Sequence, residues 1–123
     1  MMPEAPPNRR ALLGARAEQM ACDYLSGRGF EIIARNARIG RLELDVVAQR
    51  GALIVFCEVR SRSSDRLMTP AQSIQPAKVA RVRAAGAGWL KQHHPRAAQV
   101  RFDVASVLFD TPEGRLTYLE GAF

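Results

Sequence analysis

Asp45 and Glu58 are acidic side chains set inside two apolar runs that a short turn would fold together. Leu42, Leu44, Val46 and Ala48 alternate with Glu43, Asp45, Val47 and Gln49, a period of two that predicts a β-strand. Gln49, Arg50 and Gly51 make a turn, and Ala52 to Arg60 is a second β-rich run containing Ile54, Val55 and Phe56. Two such runs joined by a short glycine-containing turn predict a hairpin. With the turn centred near Arg50 and Gly51, Asp45 lies opposite Phe56 and Glu43 opposite Glu58. Glu43, Asp45, Glu58 and Arg60 then share one face with Val47, Ile54 and Phe56. Asp45 and Glu58 become diagonal neighbours, about 7–8 Å apart at the backbone, near enough for their carboxylates to converge. The other face, with Leu42, Leu44, Val46, Val55, Cys57 and Val59, is core. Three acids at one end of a half-buried sheet repel one another unless cations sit among them. Oxygen ligands of this kind suit Mg2+ or Mn2+ completed by water and substrate phosphate. The alternative is a charged strand face on which Glu58 pairs with Arg60, Arg62 or Arg41.

The elements that must position these residues are legible around them. From about Asn8 to Gly27, Leu13, Ala17, Ala21, Tyr24 and Leu25 recur at helical spacing, and Gly27 and Gly29 end the helix. Phe30 to Asn36 predicts a strand, followed by a basic connection with Arg38, Gly40 and Arg41. After the hairpin, Ser61 to Gln75 is polar and predicts a loop. A second helix runs from about Pro76 to Gln92 with Val79, Val82, Ala85 and Trp89 on its apolar stripe, although Gly86 and Gly88 weaken its middle. Val100 to Phe109 predicts a further strand and Leu116 to Leu119 a short last one. The order is helix, three strands, helix, then one or two strands, which is an α/β protein.

Bulk properties bound the possibilities. With 123 residues, 47% of them hydrophobic and 24% charged, the chain is expected to form one domain, residues 11–123, behind a flexible lead-in of residues 1–10. No apolar stretch approaches the ~20 residues needed to span a bilayer, and nothing near Met1 resembles a signal peptide, so no membrane partner and a cytoplasmic location are expected. Cys22 and Cys57 each lie among apolar neighbours and are expected to be core thiols, not a disulfide or a zinc site. The net charge of +6 is carried almost wholly by arginine, since Lys78 and Lys91 are the only lysines. Guanidinium groups suit bidentate phosphate contacts, which makes nucleic acid a reasonable partner; a solvated basic surface is the bland alternative.

Taken together, Gly14 to Glu18, Ala21, Tyr24-Leu25, Gly29, Asn36, Arg38, Glu43-Leu44-Asp45 and the run Val55-Phe56-Cys57-Glu58-Val59-Arg60-Ser61-Arg62 follow a family pattern. Lys78, Arg81, Arg101-Phe102-Asp103-Val104 and Ala122-Phe123 also fit it. The chain resembles the YraN-like uncharacterised protein family over nearly its whole length after the first ten residues. That family looks like a branch of the restriction-endonuclease-like superfamily and is similar in core layout to archaeal Holliday-junction resolvases. The resemblance implies a restriction-endonuclease-like core, a mixed central sheet of four or five strands flanked by helices. It implies that Asp45 and Glu58 hold the metal, that Glu18 on the first helix completes the site, and that Glu43 is a supporting ligand. It also implies phosphodiester hydrolysis by a metal-activated water. Arg38, Arg41, Arg62, Lys78 and Arg81 would contact nucleic acid, structured or branched DNA being the implied substrate. Proteins of this core often dimerise, so the resemblance raises a homodimer.

Two residues depart from the pattern. Arg60 stands where the motif normally has lysine, so the catalytic set reads Glu18, Asp45, Glu58 and Arg60. A lysine there can orient and help deprotonate the attacking water, whereas arginine stays charged and can only clamp phosphate or stabilise charge. Lys78, from the second helix, is a weak candidate to fill that role. Leu42 stands where the family usually has glycine. Elsewhere, His93-His94 fits a helix end, and Asp103 fits alternation with Arg101 on an outer strand face as well as it fits a further acid. Gly86-x-Gly88 lacks the context of a phosphate loop, and Trp89, Tyr24 and Phe102 fit core positions. Three functions compete: a Mg2+- or Mn2+-dependent endonuclease, a non-catalytic nucleic-acid-binding module using Arg35, Arg38, Arg41, Arg60, Arg62 and Arg66, and a protein-interaction domain that keeps the fold. Arg60 modestly favours lost or altered catalysis.

Overall fold

The computed structural model describes residues 8–63 and 75–123. The helix α1 spans Arg9–Gly27, and the Asn8 side chain caps it by accepting from the Ala11 N–H at 2.8 Å. Arg9 and Arg10, expected in the lead-in, form the first helical turn; residues 1–7 of that lead-in lie outside the described residues. The strands are β1 (Glu31–Ile39), β2 (Leu42–Arg50), β3 (Leu53–Arg62), β4 (Gln99–Leu108) and β5 (Arg115–Leu119), with α2 (Pro76–His93) between β3 and β4. The strand β1 runs three residues past its expected end, so Arg38 belongs to the strand and not to a connection. β3 likewise runs to Arg62, and the rest of the expected polar loop, including Arg66, falls on residues 64–74, outside the described residues.

One five-stranded sheet is ordered β1-β2-β3-β4-β5. All neighbours are antiparallel except β3 and β4, which are parallel and therefore need the crossover that α2 supplies. The α/β class, the mixed sheet and the order α-β-β-β-α-β-β are those expected. The helices cover opposite faces. Ala21, Cys22 and Leu25 of α1 pack on Val46, Ala48, Val55, Cys57 and Ala105, while Val82, Ala85 and Trp89 of α2 pack on Leu44, Val47, Ile54 and Phe56. The helix-weakening Gly86 and Gly88 have a packing reason. A Cβ at Gly86 would lie 2.9 Å from the Phe102 ring, and one at Gly88 would lie 2.5 Å from the Ile39 side chain. Both cysteines are buried and free, and Trp89 meets Phe56 edge-on at 5.8 Å, as core residues. No helix among the described residues is long and apolar enough to cross a membrane.

Asp103 is not on an outer face. It is fully buried and accepts from Arg101 Nε at 2.9 Å, Arg101 Nη2 at 3.0 Å, Tyr118 Oη at 2.6 Å and the Gly121 N–H at 2.9 Å. Four donors meet one carboxylate, which ties β4, β5 and the C-terminal turn together. Tyr118 in turn stacks on Tyr24 of α1 with ring centroids 4.3 Å apart. The Asp103 cluster is structural cement on the α1 side of the sheet.

Candidate metal and phosphate site

The hairpin register differs from the expected one by two residues. Its turn is Gly51-Ala52, closed by the pair Arg50 and Leu53, so Val47 faces Phe56 and Val46 faces Cys57. Gly51 takes a φ of 58°, the left-handed conformation that tight hairpin turns demand. Carrying this register one step further sets Asp45 directly across from Glu58, where the sequence had placed Phe56.

The two strands part at that step. β2 continues to pair with β1 as far as Leu42, yet its pairing with β3 stops at Val46. The alternation of β2 slips at the same place, since Leu44 and Val47 both pack on the α2 face although they differ in parity. Asn36 of β1, with a left-handed φ of 51°, is a local backbone irregularity between the pairs Arg35–Val46 and Ala37–Leu44, while the register of β1 against β2 shifts between Ile32 and Ala34. The faces predicted for Leu42, Leu44 and Glu43 are therefore wrong. Leu42 and Leu44 turn to α2, and exposed Glu43 between them turns away, so it does not join the acidic pair.

Asp45 fills the gap where the ladder opens. Its Oδ2 accepts the Val59 N–H at 2.8 Å, a bond the neighbouring backbone would otherwise make. Glu58 is buried, and its Oε1 lies 3.1 Å from Lys78 Nζ in the first turn of α2. Burial and, next, the adjacent Glu58 charge push the Asp45 carboxyl up to about 7, against the Val59 hydrogen bond and the Lys78 charge, which pull it down. Two carboxylates thus share one desolvated gap with a single ammonium. A hard, oxygen-seeking divalent cation fits this donor set, because it would relieve the repulsion that Lys78 relieves only in part.

An open cleft of about 360 Å³ lies against the pair, lined by Glu58, Arg60, Ser61, Gln75, Lys78 and Arg81. Of the sequence-predicted residues, Asp45, Glu58, Arg60, Lys78 and Arg81 are brought to this one place. Glu58 pairs with Lys78, a partner not among the arginines considered for it from sequence. Ser61 and Gln75 were not among the site residues expected from sequence. Gln75 was legible as the residue before Pro76, where a helix begins over the end of the hairpin. Glu18 is on the α1 side, accepting from Asn36 Nδ2 at 2.8 Å and Arg35 Nε at 3.3 Å. Among the described residues no three His, Cys, Asp or Glu side chains gather closely enough to hold an ion, so Glu18 does not complete a trio with Asp45 and Glu58. Arg38 and Arg41 are exposed at the tip of the β1–β2 hairpin, which projects past the split toward the same end of the sheet as Arg60 and Arg62.

Sequence comparisons agree with one another. The chain is 46% identical to a UPF0102 protein of Mycolicibacterium vanbaalenii over 98 residues, covering 80% of this chain and 81% of that one. It is 46% identical to a UPF0102 protein of Sorangium cellulosum over 111 residues, covering 88% and 76% of the two chains. A Mycolicibacterium gilvum relative is 42% identical over 117 residues, covering 91% and 94%. The family model described as Uncharacterised protein family UPF0102 matches residues 17–107, a stretch holding Glu18, Asp45, Glu58 and Lys78 together. The chain belongs to that family, the YraN family whose pattern its hairpin motifs follow.

Proposed function

We propose that this protein is a nucleic-acid-binding, metal-dependent phosphodiester hydrolase of restriction-endonuclease-like type, with structured or branched DNA as its substrate. The observation that carries the reading is the pairing of Asp45 with Glu58 in the gap between β2 and β3, beside a cleft lined by Arg60, Lys78 and Arg81. Like charges confined in a desolvated gap oppose folding, and such frustration is characteristic of functional sites. Asp45 and Glu58 are the residues that would hold Mg2+ or Mn2+, and the ion would supply a nucleophilic water and charge stabilisation at phosphorus. Arg60 and Arg81 clamp phosphate oxygens as fixed cations. Lys78 brings the ammonium that Arg60 does not, 3.1 Å from Glu58, from a helix instead of the strand. Glu18, bonded to Asn36 in the irregularity beside Asp45, acts through that strand as a positioning residue.

The test is cleavage of labelled duplex, single-stranded, junction and RNA substrates with Mn2+ by the wild type, Asp45→Asn, Glu58→Gln and Lys78→Ala. Cutting by the wild type that both carboxyl variants lose, and that Lys78→Ala lowers by about 10²-fold or more, is expected. A wild type that cuts none of the substrates, or carboxyl variants that cut as well as it does, would sink the enzymatic reading. The Lys78–Glu58 ion pair favours a second reading, in which the ammonium occupies the site and the protein binds nucleic acid without cutting it. Binding that falls with salt and is indifferent to metal is what that reading expects.

A further inference from the structure

A second cleft, of about 380 Å³, opens on the α1 side of the same sheet end, lined by Arg9, Arg10, Leu13, Ser61, Arg62 and Ser63. Ser61 lines both clefts, so they adjoin over the last residues of β3. Among the described residues their walls share one chemistry: guanidinium and ammonium groups, hydroxyls, and no acid apart from Glu58, which Lys78 holds. Arg9 and Arg10 are exposed, and among the described residues neither forms an ion pair. They also stand in the first turn of α1, which has no acidic residue, where the helix dipole opposes positive charge. Helix stability therefore does not explain them. Arg16, about two turns further on, is engaged instead with the Phe109 ring and the Glu113 carbonyl, so α1 contributes Arg9 and Arg10 to the cationic rim of this cleft.

We infer that the α1-side cleft is a second backbone-phosphate subsite, and that a polynucleotide strand crosses the end of β3 from Arg9 and Arg10, past Ser61, to the Asp45–Glu58 gap. The inference rests on the nucleic-acid reading above and adds to it a direction and a minimum length of ligand. A dinucleotide fills one cleft, whereas a longer strand engages both. Guanidinium groups with hydroxyls recognise phosphodiesters without reading bases, so the subsite contributes affinity and register but no sequence preference.

The test measures anisotropy of labelled oligonucleotides against the full chain between about 50 and 300 mM salt, for the wild type and three double variants. Arg9→Ala/Arg10→Ala is expected to weaken binding of a duplex or a dozen-nucleotide strand by about tenfold and to flatten the log–log salt slope by about two. It should leave dinucleotide affinity and the Mn2+ thermal shift unchanged. Lys78→Ala/Arg81→Ala should weaken both ligands. Lys91→Ala/Arg96→Ala removes the same charge near the far end of α2 and should leave the slope as it was. A wild-type slope in Arg9→Ala/Arg10→Ala, with a reduced one in Lys78→Ala/Arg81→Ala, overturns the second subsite and leaves nucleic-acid binding standing. Equal losses in Arg9→Ala/Arg10→Ala and Lys91→Ala/Arg96→Ala mean net charge alone and overturn it too. No binding of any oligonucleotide by the wild type overturns the inference and the reading beneath it together.

Discussion

Asp45 carries two duties that pull against each other, since it closes an open ladder through Val59 and faces a second carboxylate in the same gap. Its folded-state carboxyl lies near 7 against an ordinary value of 3.8, so the native state binds the proton more tightly than the unfolded chain does. The stabilisation by that proton is whole below the unfolded value and is lost as pH rises toward 7. Asp45→Asn keeps an oxygen for the Val59 N–H and removes the charge. It should match the wild type near pH 4 and exceed it at pH 8 by on the order of 2 kcal/mol in urea unfolding. An Asn variant less stable than the wild type at pH 8 would mean that the carboxylate is not frustrated. The type and spacing of Asp45 and Glu58 were legible in sequence, and so was Lys78. Their direct apposition was not, because it depends on where one turn closes.

At the scale of elements, the fold holds the gap open by what surrounds it. The helix α2 can bring Lys78 to Glu58 because Gly86 and Gly88 let it lie close on Phe56, Phe102 and Ile39. Gly86→Ala gains helix propensity of about 1 kcal/mol but forces a methyl against two packed rings, and a net loss of about 1–2 kcal/mol in chemical denaturation is expected. A neutral or stabilised variant would show that α2 can shift freely. On the other face, Asp103 anchors β4 to β5 through four donors, two of them from the bidentate Arg101. Asp103→Asn leaves that guanidinium only the more distant, exposed Glu120 as a charge partner and turns an amide toward donors. It should cost about 3–5 kcal/mol with little change in Mn2+ affinity at a temperature where it stays folded. Both glycines read in sequence as weaknesses of the helix, and Asp103 read equally as a further acid near the sheet or as an outer-face residue alternating with Arg101. Periodicity cannot say that a neighbour comes within van der Waals contact, nor that a tyrosine and a turn amide converge on one carboxylate.

Over the whole molecule, charge and topology agree on one end of the sheet. The crossover through α2 and the start of α1 both bring cationic side chains to the end of β3, where the two clefts open on opposite faces. A ligand that binds only the folded chain there must stabilise it. Mn2+ or Mg2+ is therefore expected to raise the melting temperature by several degrees at pH 8, by much less at pH 6 where Asp45 holds its proton, and not at all in Asp45→Asn. A shift independent of pH would place the ion elsewhere. The sequence by itself determined the class and order of the elements, because periods of two and 3.6 report which side of a strand or helix is dry. It also determined that acids and arginines would crowd the second hairpin, whose motif ties the chain to its family. Only the tertiary structure decided which acids meet. A two-residue change of register and one slip in alternation set Asp45 against Glu58 and turned Glu43 away. Such a slip depends on neighbouring strands and a covering helix, so the residues that flank Asp45 in the chain carry no sign of it.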